Sequence, residues 1–68
     1  MERITIKVGG MSCEHCVKAV TDAVGALDGV AGVSVGLDSG SAVVDYDPGV
    51  TAPGRIRAAI EEEGYVAT

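Results

Sequence analysis

Cys13 and Cys16 are the only thiols in this chain of 68 residues, and they stand three positions apart in the segment Gly10-Met11-Ser12-Cys13-Glu14-His15-Cys16. An offset of three at the start of a helix places both sulfurs on one side of its first turn. There the unpaired N–H groups and the helix dipole favour the thiolate form. Two thiolates with no further fixed ligand suit a soft cation. Cu(I) accepts two-coordinate sulfur ligation, whereas Zn(II) takes about four ligands in a tetrahedron. Two other chemistries use the same pair, since a bare CxxC is also a dithiol redox site or half of a structural zinc cluster. A thioredoxin-like redox site sits in a longer βαβ unit than 68 residues provide. A zinc cluster needs two more ligands, and His15, lying between the cysteines, does not complete one.

The pair has to be presented by a strand-to-helix junction, and the flanking patterns supply one. Ile4, Ile6 and Val8 alternate with Thr5 and Lys7, the period-2 pattern of a half-buried strand, and Gly9-Gly10 end it. From there Val17, Val20, Val24 and Leu27 follow a helical period, with Ala19, Ala23 and Ala26 between them. The spacing predicts a helix over 13–27, capped by Ser12, with Glu14 in its first turn and Gly29 as its stop. Val33, Val35 and Leu37, the turn Asp38-Ser39-Gly40, and Ala42 to Tyr46 predict a β-hairpin. Thr51 is expected to cap a second helix with Pro53 in its first turn. Ile56, Ala59 and Ile60 form its apolar stripe, and Arg57, Glu61 and Glu62 its exposed face. Tyr65 to Thr68 make a last short strand. The order β-α-β-β-α-β in one domain, residues 1–68, is an α+β split-βαβ arrangement: a four-stranded antiparallel sheet with both helices on one face. This fold hosts many functions and decides none of them.

Composition narrows the class. Ten acidic against five basic residues give a formal charge of −5, which opposes binding to nucleic-acid phosphates or anionic lipid. No run of 18 apolar residues predicts membrane insertion, and the N-terminal segment lacks the apolar stretch of a secretory signal, so a reducing, cytoplasmic setting is expected. Of the 47% apolar residues, 20 are Ala or Val, and Phe and Trp are absent. The core must therefore be thin and made of small side chains.

The segment Gly10 to Cys16 resembles the GMxCxxC loop of heavy-metal-associated domains, above all those of bacterial copper chaperones. Gly29-Val30 and Glu63-Gly64-Tyr65 fall where that family has them, so the resemblance spans nearly the whole chain. It implies a ferredoxin-like carrier, without turnover chemistry, that holds one Cu(I) on Cys13 and Cys16 and passes it to the metal-binding domain of a copper-transporting P-type ATPase. By the same resemblance Met11 is a buried anchor of the loop and Ser12 a loop-supporting residue. Tyr65 approaches the loop, either screening thiolate charge and excluding water or simply packing. His15 is either a solvated side chain or one that aids Cu(I) sharing between molecules or adds positive charge near the thiolates, and a copper-bridged homodimer is one partner state the family allows. Two alternatives belong to the same family: an N-terminal domain of a copper-transporting ATPase, and a carrier of mercury or zinc. Zinc-selective relatives show an extra carboxylate beside the cysteines, where this chain has Met11 and Ser12. Some family chaperones meet an acidic ATPase domain with a basic surface. Here Arg3, Lys7, Lys18, Arg55 and Arg57 are the only cations, and Lys18 is nearest the cysteines.

Overall fold

The β-branched alternation at the N-terminus does form a strand, β1 (Glu2–Gly9), in a computed structural model that describes residues 1–68. It is followed by α1 (Glu14–Gly25), β2 (Val30–Gly36), β3 (Ser41–Tyr46), α2 (Pro53–Glu62) and β4 (Val66–Ala67). The strands make one antiparallel sheet in the order β2-β3-β1-β4. This is the expected ferredoxin-like arrangement.

Register decides which face is buried. Ile4 pairs with Val44 and Ile6 with Ala42, so their side chains share the inner face, while Arg3 opposite Asp45 and Thr5 opposite Val43 share the outer one. On the inner face Ile6, Val8, Ala42, Val44 and Tyr46 meet Val20 and Val24 of α1 and Ile56 and Ile60 of α2. Each helix thus buries an i, i+4 pair, which is the amphipathic stripe its sequence carried. Burying each of these Val or Ile side chains stabilises the fold by roughly 1.5–3 kcal/mol. Neither cysteine belongs to this core. On the outer face Arg3 Nε donates to Asp45 Oδ1 at 2.7 Å, the one ion pair of the molecule. The contact holds the Asp45 carboxyl below its ordinary pKa and raises that of Arg3. No helix is long and apolar enough to cross a membrane.

Several boundaries differ from expectation for local reasons. Cys13, not Ser12, stands at the N-cap of α1, in extended conformation (φ −158°, ψ 173°) and with no side-chain cap. Its carbonyl is the first of the helix, accepting the Cys16 and Val17 N–H groups at 3.0 and 3.3 Å. The helix stops at Gly25 rather than at residue 27. Leu27 N–H reaches back to Val24 O at 3.1 Å in a tightened final turn, as a glycine in the last turn favours. Ala52, not Thr51, caps α2, and Pro53 opens that helix. Thr51 is only 6% exposed, and its N–H is bound to Asp47 O. Strand β2 begins at Val30 and carries a bulge between Val30 and Gly32, where it passes Tyr46 and Asp45. Leu37 falls outside it, in the turn. Strand β4 is two residues long, although Thr68 still exchanges a pair of 2.9 Å hydrogen bonds with Lys7. Tyr65 therefore precedes the strand instead of starting it.

Candidate metal centre

Because β1 ends at Gly9 and α1 begins at Glu14, the four residues between them form a short loop. Met11 lies partly buried against the core, while Ser12 and Cys13 are exposed. Cys16 lies in the first helical turn, half-buried, and its Sγ is 3.8 Å from that of Cys13. The offset of three has brought both sulfurs to one point, as the spacing predicted.

Their surroundings are unequal. The Cys16 thiol is drawn down from 9.0 to about 6, chiefly because the main-chain N–H of Ser12 points at it and then because the Tyr65 hydroxyl donates to it. Partial burial opposes the ionised form. Cys13 and its own main-chain N–H add a smaller pull in favour. Tyr65 shows the reciprocal effect: its pKa is raised, first because its proton is engaged by Cys16 and then by burial. Cys16 is thus the supported thiolate, and Cys13 is the one open to solvent.

No third His, Cys, Asp or Glu joins the two sulfurs. The donor set is a bare bis-thiolate, too small for tetrahedral zinc and suited to a soft monovalent cation. Metal–thiolate bonds of about 2.3 Å, the zinc value, span at most about 4.6 Å, so sulfurs 3.8 Å apart must separate by up to about 0.8 Å to flank an ion in line. The exposed Cys13 can supply that movement.

Of the other residues singled out by sequence, Ser12, through its main chain, and Tyr65 both favour the ionised form of Cys16. Met11 packs beneath the loop. His15 is exposed on the first turn of α1 and makes no hydrogen bond to either cysteine. Sequence reasoning placed Gly10 at the strand end but missed its surroundings: a φ of +97° turns the chain out of the sheet, and Tyr65 Cδ1 lies in ordinary contact, 3.5 Å from where a Cβ would stand. The glycine pair after an alternating strand was the available signal, and it spoke for a strand end without revealing what would lie against it.

Residues 5–66 match the heavy-metal-associated domain, and the chain belongs to that family. It is 49% identical over 65 residues to the copper chaperone CopZ of Bacillus subtilis strain 168, covering 96% of this chain and 94% of that protein. The solved structure of a CopZ metallochaperone superposes with a TM-score of 0.96 at 37% identity, over 98% of this chain and all of the other. A copper binding domain from HMA7, a P-type ATPase, superposes with a TM-score of 0.98 at 34% identity, covering 100% of this chain and 92% of that one.

Proposed function

We propose that this protein is a cytoplasmic copper(I) carrier that holds one ion on the thiolates of Cys13 and Cys16 and delivers it to the metal-binding domain of a copper-transporting P-type ATPase. The observation that carries this reading is the isolated pair of sulfurs at 3.8 Å, joined by no third ligand and lying outside the core. Similarity to copper chaperones over nearly the full length of both chains supports copper as the cargo.

Delivery proceeds by ligand exchange. A thiolate of the acceptor donates its lone pair to the bound ion, giving three-sulfur coordination. Cys13, exposed and without the support that Cys16 has, then departs with its own electron pair, and a second acceptor thiolate displaces Cys16. No electron is gained or lost by the metal, and the ion never meets bulk water. Nothing in this sequence calls for turnover chemistry.

The deciding experiment is a Cu(I) titration under strict reduction against a chromophoric competitor, with Zn(II) run in parallel. One tight Cu(I) equivalent and weak Zn(II) binding are expected; tighter Zn(II) binding would end the proposal. The close superposition on an ATPase domain favours a second reading, in which this chain is the acceptor and not the donor. Transfer measured in both directions against a partner domain separates the two, since the carrier should load the acceptor at equilibrium.

A further inference from the structure

We propose that the free edge of β2 is a self-association surface, on which two copies of this chain pair their β2 strands antiparallel about a two-fold axis at Ser34, with no metal between them.

The sheet has two edges, and they are built differently. Strand β4 offers only two residues. Strand β2 offers seven, and residues 29–37 are the longest stretch of the chain without a charged side chain. The hydrogen bonds exchanged by Lys7 and Thr68 fix which way the main-chain groups point, because successive residues of an antiparallel strand face opposite neighbours. Lys7 faces β4, so Ile4 and Ile6 face β3, and their partners Val44 and Ala42 face back. Val43 and Asp45 therefore bond Ser34 and Gly32. Val33 and Val35 are left with N–H and C=O directed away from the sheet, and no other part of the chain bonds them.

Local features choose the register. The bulge between Val30 and Gly32 ends the regular edge on one side, and the turn at Leu37 ends it on the other. What remains is residues 32–36, centred on Ser34. A two-fold axis there sets Val33 opposite the partner's Val35, and each such pair exchanges two N–H···O=C bonds. The groups left free on both valines are then satisfied in both copies. Ser34, exposed on the outer face, meets the partner's Ser34 in a non-hydrogen-bonded pair with Cα atoms about 4.5 Å apart. Gly32 and Gly36 on either side bring no side chain into conflict. On the inner face α1 packs over β2, and an open groove of about 590 Å³ beside them is lined by Val17, Lys18, Thr21, Val35 and Leu37 among others. The axis places the partner's α1 across that groove. A second copy fits this edge because one strand supplies donors and acceptors in matching order and sets no like charges along it. The net charge of −5 still opposes approach from a distance, and salt should relieve it.

The test is run with chelator and reductant, so its outcome is independent of the copper-carrier reading. A few hydrogen bonds over a short edge make a weak dimer, with Kd of about 1 mM. Amide spectra of the parent from about 0.05 to about 2 mM, which bracket that value, should show shifts at Val33, Ser34 and Val35 that grow with concentration and with salt, while the amides of β1 stay fixed. Ser34→Asp sets two carboxylates against each other at the axis and should abolish those shifts. In a Cys13→Ser, Cys16→Ser background without reductant, Ser34→Cys should cross-link in a glutathione redox buffer about tenfold faster than Thr5→Cys, which is equally exposed on the outer face but lies on an interior strand. Parent shifts that fail to appear at the highest concentration, or Ser34→Cys cross-linking no faster than Thr5→Cys, would overturn the proposal. So would edge shifts seen only on adding an alternating threonine-valine peptide, since they would give the edge to a foreign strand.

Discussion

Strands β1 and β3 each run into a helix through a short connection, and the two connections treat their polar groups in opposite ways. After β3, Asp47 closes the chain on itself. Its carbonyl accepts the N–H groups of Val50 and Thr51 at 3.0 Å, its carboxylate accepts Gly49 N–H at 2.9 Å, and its own N–H binds Gly29 O at 2.7 Å. Thr51 is buried there, and Pro53 at the helix start removes one donor that would need a partner. Neither helix has a side-chain cap, but after β1 no side chain closes the loop as Asp47 does, and the main chain of Ser12 favours the thiolate of Cys16. One junction satisfies its donors internally and serves as scaffold. The other leaves them to a side chain that can carry charge, and there the thiol ionises near neutrality.

The sharpest way to break this contrast is to remove a thiol. Cys13→Ser should lower Cu(I) affinity by more than about a hundredfold, or about 2.8 kcal/mol, in competitive titration. Its unfolding free energy in urea should stay within about 0.5 kcal/mol of the parent, since Cys13 is exposed and outside the core. A collapse of stability would show that the cysteine junction is scaffold after all. Asp47→Ala should do the reverse, losing about 0.5–1.5 kcal/mol in urea with Cu(I) affinity unchanged.

The ionisation of Cys16 sharpens the comparison further. Its pKa in the folded chain, about 6, lies below the ordinary 9.0, so folding favours the thiolate. Apo stability from this group is full above about pH 9 and is lost as pH falls through about 6. Urea midpoints of the parent and Cys16→Ser should therefore differ more at the alkaline end of that window, and a constant difference would remove the favoured thiolate. The smallest effect belongs to Lys18, exposed on α1 one turn beyond the loop and outside the molecule's single ion pair. Lys18→Glu should slow Cu(I) transfer to an acidic acceptor more at low salt than at high salt, as stopped-flow rates at two ionic strengths would reveal.

What the sequence disclosed follows the range of the forces involved. The alternation of Ile4, Ile6 and Val8 and the helical spacing of Val20 and Val24 are local patterns, and they placed the strands, the helices and the cysteine pair. The choice of Ala52 over Thr51 as cap was hidden because it depends on Thr51 packing beside Gly29, 22 positions earlier. The bulge at Val30 to Gly32 was hidden for a similar reason, being defined only against β3. At the centre, residue spacing announced two sulfurs at one point. Their inequality was not legible, because the direction of the Ser12 N–H is a backbone property and Tyr65 arrives through the pairing of β4 with β1.

The placement of the two tyrosines gives the protein a pair of built-in optical reporters. Tyr46 is 5% exposed among the core residues, whereas Tyr65 stands beside Cys16, and the chain has no tryptophan to mask either ring. Near-ultraviolet circular dichroism and tyrosine emission thus divide into a signal for global folding and a signal for the loop. Replacing Tyr65 with Phe silences the second and leaves the first. The parent and that one variant then allow unfolding and site rearrangement to be followed separately, in the same cuvette and without an attached dye.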